Sequence, residues 1–165
     1  MERRVSTRKQ AIASAPSLLA FAVLVTVTAW SGIYFDPGDW YRGLIKPAWT
    51  PPDWMFPPVW AVLYAAIAIA GWRVWRAAPR LSLALLLWLM QSAFNAAWSW
   101  LFFGLHVPLL AFLDVVLLLL TVLGFILAAF RLSRIAAVLF VFYALWVAFA
   151  AALNYSLWKL NLGLI

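Results

Sequence analysis

Apolar residues along the chain fall into five long runs, separated by short polar or proline-rich segments. The runs span Ala11–Ile33, Phe56–Trp75, Leu81–Phe103, Pro108–Phe130 and Ile135–Trp158. A helix of about 20 residues crosses a hydrocarbon core of about 30 Å, and each run reaches that length. The runs are continuously apolar and do not alternate, so they predict helices and not the strands of a barrel. We therefore expect an all-α integral membrane protein built as a bundle of five transmembrane helices.

The composition supports a membrane protein. Of the 165 residues, 68% are hydrophobic and only 10% are charged, and a soluble domain of this size needs more charged surface. The chain has no cysteine, and His106 is its single histidine. Neither a disulfide framework nor a metal centre is therefore expected. We predict a basic tail, residues 1–10, followed by one membrane domain, residues 11–165.

The net charge of +7 is distributed unevenly along the predicted helices. Three basic residues fall at one end of the bundle: Arg42, Lys46 and Lys159. The other nine fall at the opposite end: Arg3, Arg4, Arg8, Lys9, Arg73, Arg76, Arg80, Arg131 and Arg134. The positive-inside rule then places the N-terminus in the cytoplasm and the C-terminus outside, in a bacterial inner membrane. This pattern indicates contacts with membrane lipid and no nucleic-acid partner.

The first connection, Tyr34–Met55, is long and unusual. It contains three tryptophans and four prolines, which fix φ and remove backbone donors, so the segment should form a stiff cap. Two interpretations remain open. The segment is either a connector whose aromatic residues lie in the membrane interface, or a lid over a ligand pocket.

The third predicted helix presents two different faces. At about 100° per residue, Gln91, Asn95 and Trp98 share one arc, and buried amides in lipid need partners or a polar cavity. The opposite arc carries small residues, which permit close approach of a second helix and predict a homodimer. That predicted dimer face consists of Ala93, Ala97 and Gly104.

Aromatic stripes recur on two other helices. The second predicted helix groups Trp60 with Tyr64, and the fifth groups Trp146 with Ala150. Each stripe alone is compatible with core packing. Together with the amides of the third helix they suggest an aromatic cavity for a flat, conjugated ligand. Both interpretations stay open at this point.

Three ordered segments carry a family resemblance: Trp40–Tyr64, Gln91–Gly104 and Leu153–Asn161. The first, WYRGLIKPAWTPPDWMFPPVWAVLY, resembles the signature of the TspO/MBR family. This family comprises the bacterial tryptophan-rich sensory proteins and the mitochondrial translocator protein, also called the peripheral benzodiazepine receptor. The likeness covers about residues 15–161.

The resemblance implies a five-helix bundle, often dimeric, whose first loop caps a ligand cavity. It implies ligands such as protoporphyrin IX or a haem-related porphyrin, cholesterol in animal members, and synthetic drugs, with no required cofactor. The expected role is then sensing, sequestration or transport of a tetrapyrrole. With Tyr64 added from the helical projection, the predicted ligand-binding residues are Tyr41, Trp60, Tyr64, Asn95, Trp98, Trp146 and Ala150.

Two alternative functions follow from the same resemblance. In similar bacterial proteins the counterparts of Trp60 and Trp146 are linked to light-dependent porphyrin breakdown, which makes these two residues the catalytic candidates of an enzyme. Alternatively, the chain is a dimeric scaffold or a sterol-binding protein. A weak sterol pattern consists of Leu153, Tyr155 and Lys159. Many relatives have Arg–Asp where this chain has Lys159–Leu160, which argues against the sterol role.

Overall fold

The computed structural model describes the backbone of residues 2–35, 37–78 and 81–163, with side chains from residue 15 onward. Every regular element in these ranges is helical. The α-helices are α1 (Glu2–Tyr34), α2 (Gly38–Gly43), α3 (Phe56–Ala77), α4 (Leu83–Ser99), α5 (Pro108–Phe130) and α6 (Arg134–Leu160). A 3₁₀ turn, Asp53–Met55, leads into α3, and a π-helical segment, Trp100–Gly104, follows α4.

The expected all-α membrane architecture is confirmed, with five long helices in the described chain. Four segments are long and apolar enough to cross a membrane: Ala15–Tyr34, Asp53–Ala77, Pro108–Phe130 and Arg134–Leu160. The remaining long helix, α4, has 17 residues and is about 25 Å long at 1.5 Å per residue. It is shorter than the about 20 residues that a span needs, so the count of five spans is approximate. The side chains of the basic tail lie outside the described residues, and its boundary with the membrane domain stays a prediction.

Short polar and proline-containing signals set where the helices begin. Ser82 and Ser133 cap α4 and α6 by accepting hydrogen bonds from the backbone N–H three residues later. Prolines occupy the first turns of α3 and α5, where a missing N–H donor costs nothing. The predicted starts at Phe56 and Pro108 therefore agree with the structure.

Helices α3 and α4 pack closely at the end of the bundle where α3 finishes and α4 begins. Helix α5 packs mainly on α4 and α6, while α3 packs on α1 and α6. Trp88 of α4 is fully buried and donates from Nε1 to the carbonyl oxygen of Ile67, 2.8 Å away. Its ring lies over Gly71, where an added Cβ would be 2.5 Å from the indole. Only glycine allows α3 and α4 to approach this closely.

The first loop folds onto the opposite end of the bundle. Lys46 donates from Nζ to the carbonyl oxygen of Tyr41, 2.6 Å away, and so satisfies the end of the short helix α2. Tyr41 and Leu44 are buried in a cluster with Phe102 and Leu157. The segment therefore forms a stiff cap, as its prolines predict.

The described basic residues divide between the two ends as expected. Arg73 contacts Ser133, which caps the N-terminus of α6. Arg73 and Arg76 of α3 therefore lie at the same end of the bundle as Arg134. Lys46 lies in the loop at the other end, and Lys159 lies in the last turn of α6. Five of the predicted basic residues fall outside the described side chains: Arg3, Arg4, Arg8, Lys9 and Arg80.

Candidate functional site

A stripe of aromatic side chains on α3 faces α6. Phe56, Trp60 and Tyr64 are spaced four residues apart, so they share one side of the helix. The rings of Trp60 and Tyr64 stack with centroids 5.1 Å apart and an interplanar angle of 29°. Trp60 also contacts the ring of Tyr143 on α6 edge-on, at 6.4 Å. We call Phe56, Trp60, Tyr64, Tyr143 and Trp146 the aromatic column.

A buried amide joins three helices at this column. The Tyr64 hydroxyl donates to Asn95 Oδ1 at 3.1 Å, and Asn95 Nδ2 donates to the Tyr143 hydroxyl oxygen at 3.0 Å. Asn95 is 5% exposed and Tyr143 is fully buried. A primary amide can make four hydrogen bonds, and these two leave capacity on both its oxygen and its nitrogen. The arrangement fixes the rotation of α3, α4 and α6 relative to one another.

The column continues from Tyr143 toward the loop. Trp146, one turn further along α6, packs edge-on against Phe56 with centroids 5.9 Å apart. It also contacts Phe149, which in turn meets Trp49 of the first loop at 5.7 Å. Trp49 of the first loop is thus linked to Trp146 of the column through Phe149.

Trp98 and Tyr41 belong to a second aromatic group, centred on Phe102. Trp98 stacks on Phe102 with centroids 5.1 Å apart, and Tyr41 meets the same ring edge-on at 6.2 Å. The Trp98 indole donates to Asn154 Oδ1 at 2.9 Å, and Asn154 Nδ2 donates to the Pro108 carbonyl oxygen at 2.9 Å. Burial, with the negative charge of Asp53 nearby, raises the pKa of the Tyr41 phenol above its usual value. This group fastens the loop, α4, α5 and α6 together.

The structure therefore divides the predicted ligand-binding residues between two neighbouring groups. Trp60, Tyr64, Asn95 and Trp146 meet at the aromatic column, and Ala150 is partly buried one turn beyond Trp146. Tyr41 and Trp98 gather around Phe102 instead. The binding roles of these residues stay predictions.

Two polar residues at these groups were not predicted from the sequence. Tyr143 supplies the second partner of Asn95, and Asn154 supplies the partner of Trp98. Each carried a sequence signal, because a tyrosine and an asparagine inside an apolar run need hydrogen-bond partners. The signal does not say which partner, because that depends on the neighbouring helix.

The predicted dimer face and sterol pattern stay untested. Ala93 is exposed on α4, whereas a Cβ added at Gly104 would lie 2.9 Å from the Phe35 ring of the same chain. Of the sterol pattern, Leu153 is buried at 6% exposure and Tyr155 is 44% exposed, so these two side chains face different surroundings. Lys159 lies over the rings of its neighbours on α6, as in an interfacial anchor.

Two buried acceptors lack a partner within the described residues: Oε1 of Gln91 and Oδ2 of Asp114. Gln91 does donate from Nε2 to the Trp88 carbonyl oxygen at 2.9 Å. Across the ranges that the structure describes, no three metal-ligating side chains come together. The side chains that meet at the two groups are aromatic rings, amides and hydroxyls.

Comparisons with known proteins agree with this architecture. The sequence model of the TspO/MBR family matches residues 17–159. The chain is 40% identical over 153 residues to Protein CrtK of Rhodobacter capsulatus, covering 89% of this chain and 96% of that protein. It is 36% identical to the tryptophan-rich sensory protein of Cereibacter sphaeroides, over 87% and 90% of the two chains. It is 33% identical to the translocator protein of Homo sapiens, over 88% and 90%. The family resemblance of the sequence is confirmed.

Proposed function

Because the chain belongs to the TspO/MBR family of integral membrane proteins, we propose that it binds a flat tetrapyrrole, such as a porphyrin, at the aromatic column. The binding serves to sense, sequester or carry that ligand. One observation carries the proposal: the hydrogen-bonded Tyr64–Asn95–Tyr143 chain lies beside the Trp60 ring, which contacts both tyrosine rings, and Trp146 follows Tyr143 on α6.

The aromatic side chains of the column offer stacking surfaces to a conjugated ring. Trp60, Tyr64 and Trp146 are only partly buried, although they point between helices. Trp88, which packs in the core, is fully buried by contrast. Part of each of these three side chains is therefore left uncovered by protein, whereas Tyr143 is fully buried. Aromatic contacts contribute about 0.5–1.5 kcal/mol each beyond the area that they bury.

The buried amide of Asn95 orients the bound ligand through hydrogen bonds. Asn95 holds one hydrogen bond through its oxygen and one through its nitrogen, and it keeps one further donor and one further acceptor. A porphyrin such as protoporphyrin IX carries propionate groups at the edge of an apolar plane, and these groups accept hydrogen bonds from an amide N–H. An amide in a low-dielectric site discriminates strongly between a ligand that pairs with it and one that does not.

Titration of the protein in nanodiscs with protoporphyrin IX tests the proposal through quenching of tryptophan fluorescence. Replacing both Trp60 and Trp146 by Leu should weaken affinity about 5- to 150-fold, since it removes two stacking contacts that together contribute about 1–3 kcal/mol. Asn95→Leu should weaken binding as well. Trp75→Leu is the matched control, because Trp75 is an exposed indole at the far end of α3. Unchanged affinity in both site variants, with helicity retained, would contradict the proposal.

A second candidate is an enzyme that degrades the bound porphyrin with light or oxygen. It is favoured by the positions of Trp60 and Trp146, whose indoles lie on α3 and α6 at the same column. Product formation should then saturate with porphyrin and disappear when both indoles are replaced by Phe, after correction for site occupancy. Bleaching that is equally fast in the dark, and in the double variant, would exclude this role.

We also propose that the basic end of the bundle faces the cytoplasm of a bacterial inner membrane. The argument is the positive-inside rule, applied to the nine basic residues predicted at that end. The chain has no cysteine, so single cysteines can report orientation. In spheroplasts, an impermeant maleimide should label Thr50→Cys and leave Leu132→Cys unlabelled. The reverse pattern would invert the topology.

A further inference from the structure

Two exposed arginines lie in the tight turn between α5 and α6. Arg131 and Arg134 stand on either side of Ser133, and they line an open depression of about 270 Å³ together with Phe130 and Leu132. Pockets for drug-sized molecules usually measure about 300–1,000 Å³ and are enclosed. The size and the openness of this depression suit a small headgroup and not a tetrapyrrole.

A third arginine is fixed at the same turn from another helix. Arg73 of α3 donates from Nε to Ser133 Oγ at 3.2 Å. The same oxygen caps α6 by accepting from the Ala136 N–H at 3.4 Å. The Arg73 guanidinium therefore lies at the N-terminus of a 27-residue helix, where the helix dipole is positive. Its two terminal nitrogens keep their capacity to bind an anion, because the serine contact uses only Nε.

No carboxylate among the described side chains balances these charges. Asp39 pairs with Arg42 at 3.0 Å in the first loop, at the other end of the bundle. Asp53 is also in that loop, and Asp114 is buried within α5. An anion at this helix end would offset the positive charge of the arginines around Ser133.

We propose that the α5–α6 turn binds the phosphate headgroup of an anionic phospholipid, held by Arg73, Arg131 and Arg134. The turn lies where two apolar spans leave the membrane, so a lipid phosphate is at the right depth. Guanidinium groups bind phosphate through paired N–H donors, and basic pockets between transmembrane helices are typical headgroup sites. Phe130 and Leu132 are 56% and 37% exposed beside the arginines, where acyl chains would lie.

Retention of lipid by the purified protein tests the proposal. Native mass spectrometry should show bound phosphatidylglycerol or cardiolipin after delipidation conditions that strip phosphatidylcholine. Each surface arginine near an anionic headgroup contributes about a fivefold gain in affinity, so Arg131→Gln with Arg134→Gln should weaken retention about 25-fold. Both residues are exposed, which makes the variants compatible with folding.

The controls separate this site from general charge and from free phosphate. Arg42→Gln with Lys159→Gln removes the same charge at the opposite end and should leave retention unchanged. Inorganic phosphate at millimolar concentration should not displace the lipid, because it lacks the acyl contacts with Phe130 and Leu132. Equal loss in both double variants would overturn the proposal. Equal retention of phosphatidylcholine, or displacement by phosphate alone, would overturn it as well.

Discussion

Asn161 joins the C-terminal end of α6 to the first loop. Its Oδ1 accepts from the Ile45 N–H at 2.9 Å, and its Nδ2 donates to the Ile45 carbonyl oxygen at 2.9 Å. The same Nδ2 donates to the Leu157 carbonyl oxygen at 2.8 Å, within the last turn of α6. The side chain is 1% exposed. Asn161→Ala should therefore free the loop from α6 without disturbing the transmembrane helices.

The size of the effect follows from the bonds that cross between loop and helix. Two of the three hydrogen bonds do so, and each contributes about 0.5–1.5 kcal/mol net. Their loss lowers the free energy of local loop opening by about 2 kcal/mol, which is about a 30-fold change in the opening equilibrium. The Ile45 amide itself loses its acceptor, so the opening is measured at the neighbouring Leu44 amide, whose bond to the Tyr41 carbonyl oxygen does not depend on Asn161.

Hydrogen–deuterium exchange in nanodiscs measures the opening of the first loop. The Leu44 amide should exchange about 30-fold faster in Asn161→Ala, while α3 and α5 keep their protection. Ser156→Ala is the matched control, because it removes a side-chain hydrogen bond from the same helix that goes to the Ala152 carbonyl oxygen and not to the loop. Unchanged exchange at Leu44 in Asn161→Ala, or an equal increase in both variants, would refute the reasoning.

Two further predictions concern packing and ionisation. Gly71→Ala should lower the free energy of unfolding by about 1–3 kcal/mol, because the new Cβ would lie 2.5 Å from the buried Trp88 ring. Thermal unfolding measures this effect. The control is Gly43→Ala, because nothing lies within 4 Å of a Cβ added there. Tyr41 has a raised pKa in the folded loop, so its stabilising contribution is complete below about pH 10 and is lost as the pH rises through the folded pKa. Near-ultraviolet circular dichroism between about pH 9 and 12 should show the loop loosening in the wild type. That step should be absent in Tyr41→Phe, and an identical transition in both proteins would contradict the assignment.

The sequence by itself determined the helical spans and which basic residues share an end of the bundle. A run of about 20 apolar residues in lipid has to satisfy its backbone internally, so helix formation there does not depend on neighbours. The predicted Pro108–Phe130 and the observed α5 are identical for this reason. Proline and serine at the breaks set the starts of α3, α4 and α6 nearly as well, whereas α1 begins at Glu2 and not at the predicted Ala11. The sequence also predicts which aromatic and amide residues share a face of one helix, since a helix turns by about 100° per residue.

Only the tertiary structure decided which of those faces meet. Helical projection orients Asn95 and Trp98 on α4 but gives neither the rotation nor the height of the helices beside it. Asn95 therefore joins Tyr64 and Tyr143, while Trp98, only three residues on, joins Asn154 in a separate group. The same limit applies to the arginine turn. Its charges are visible in the sequence, but the bond from Arg73 to Ser133 joins residues 60 positions apart and depends on how α3 and α6 pack. Packing between helices depends on side-chain shape across the whole bundle, which no local pattern contains.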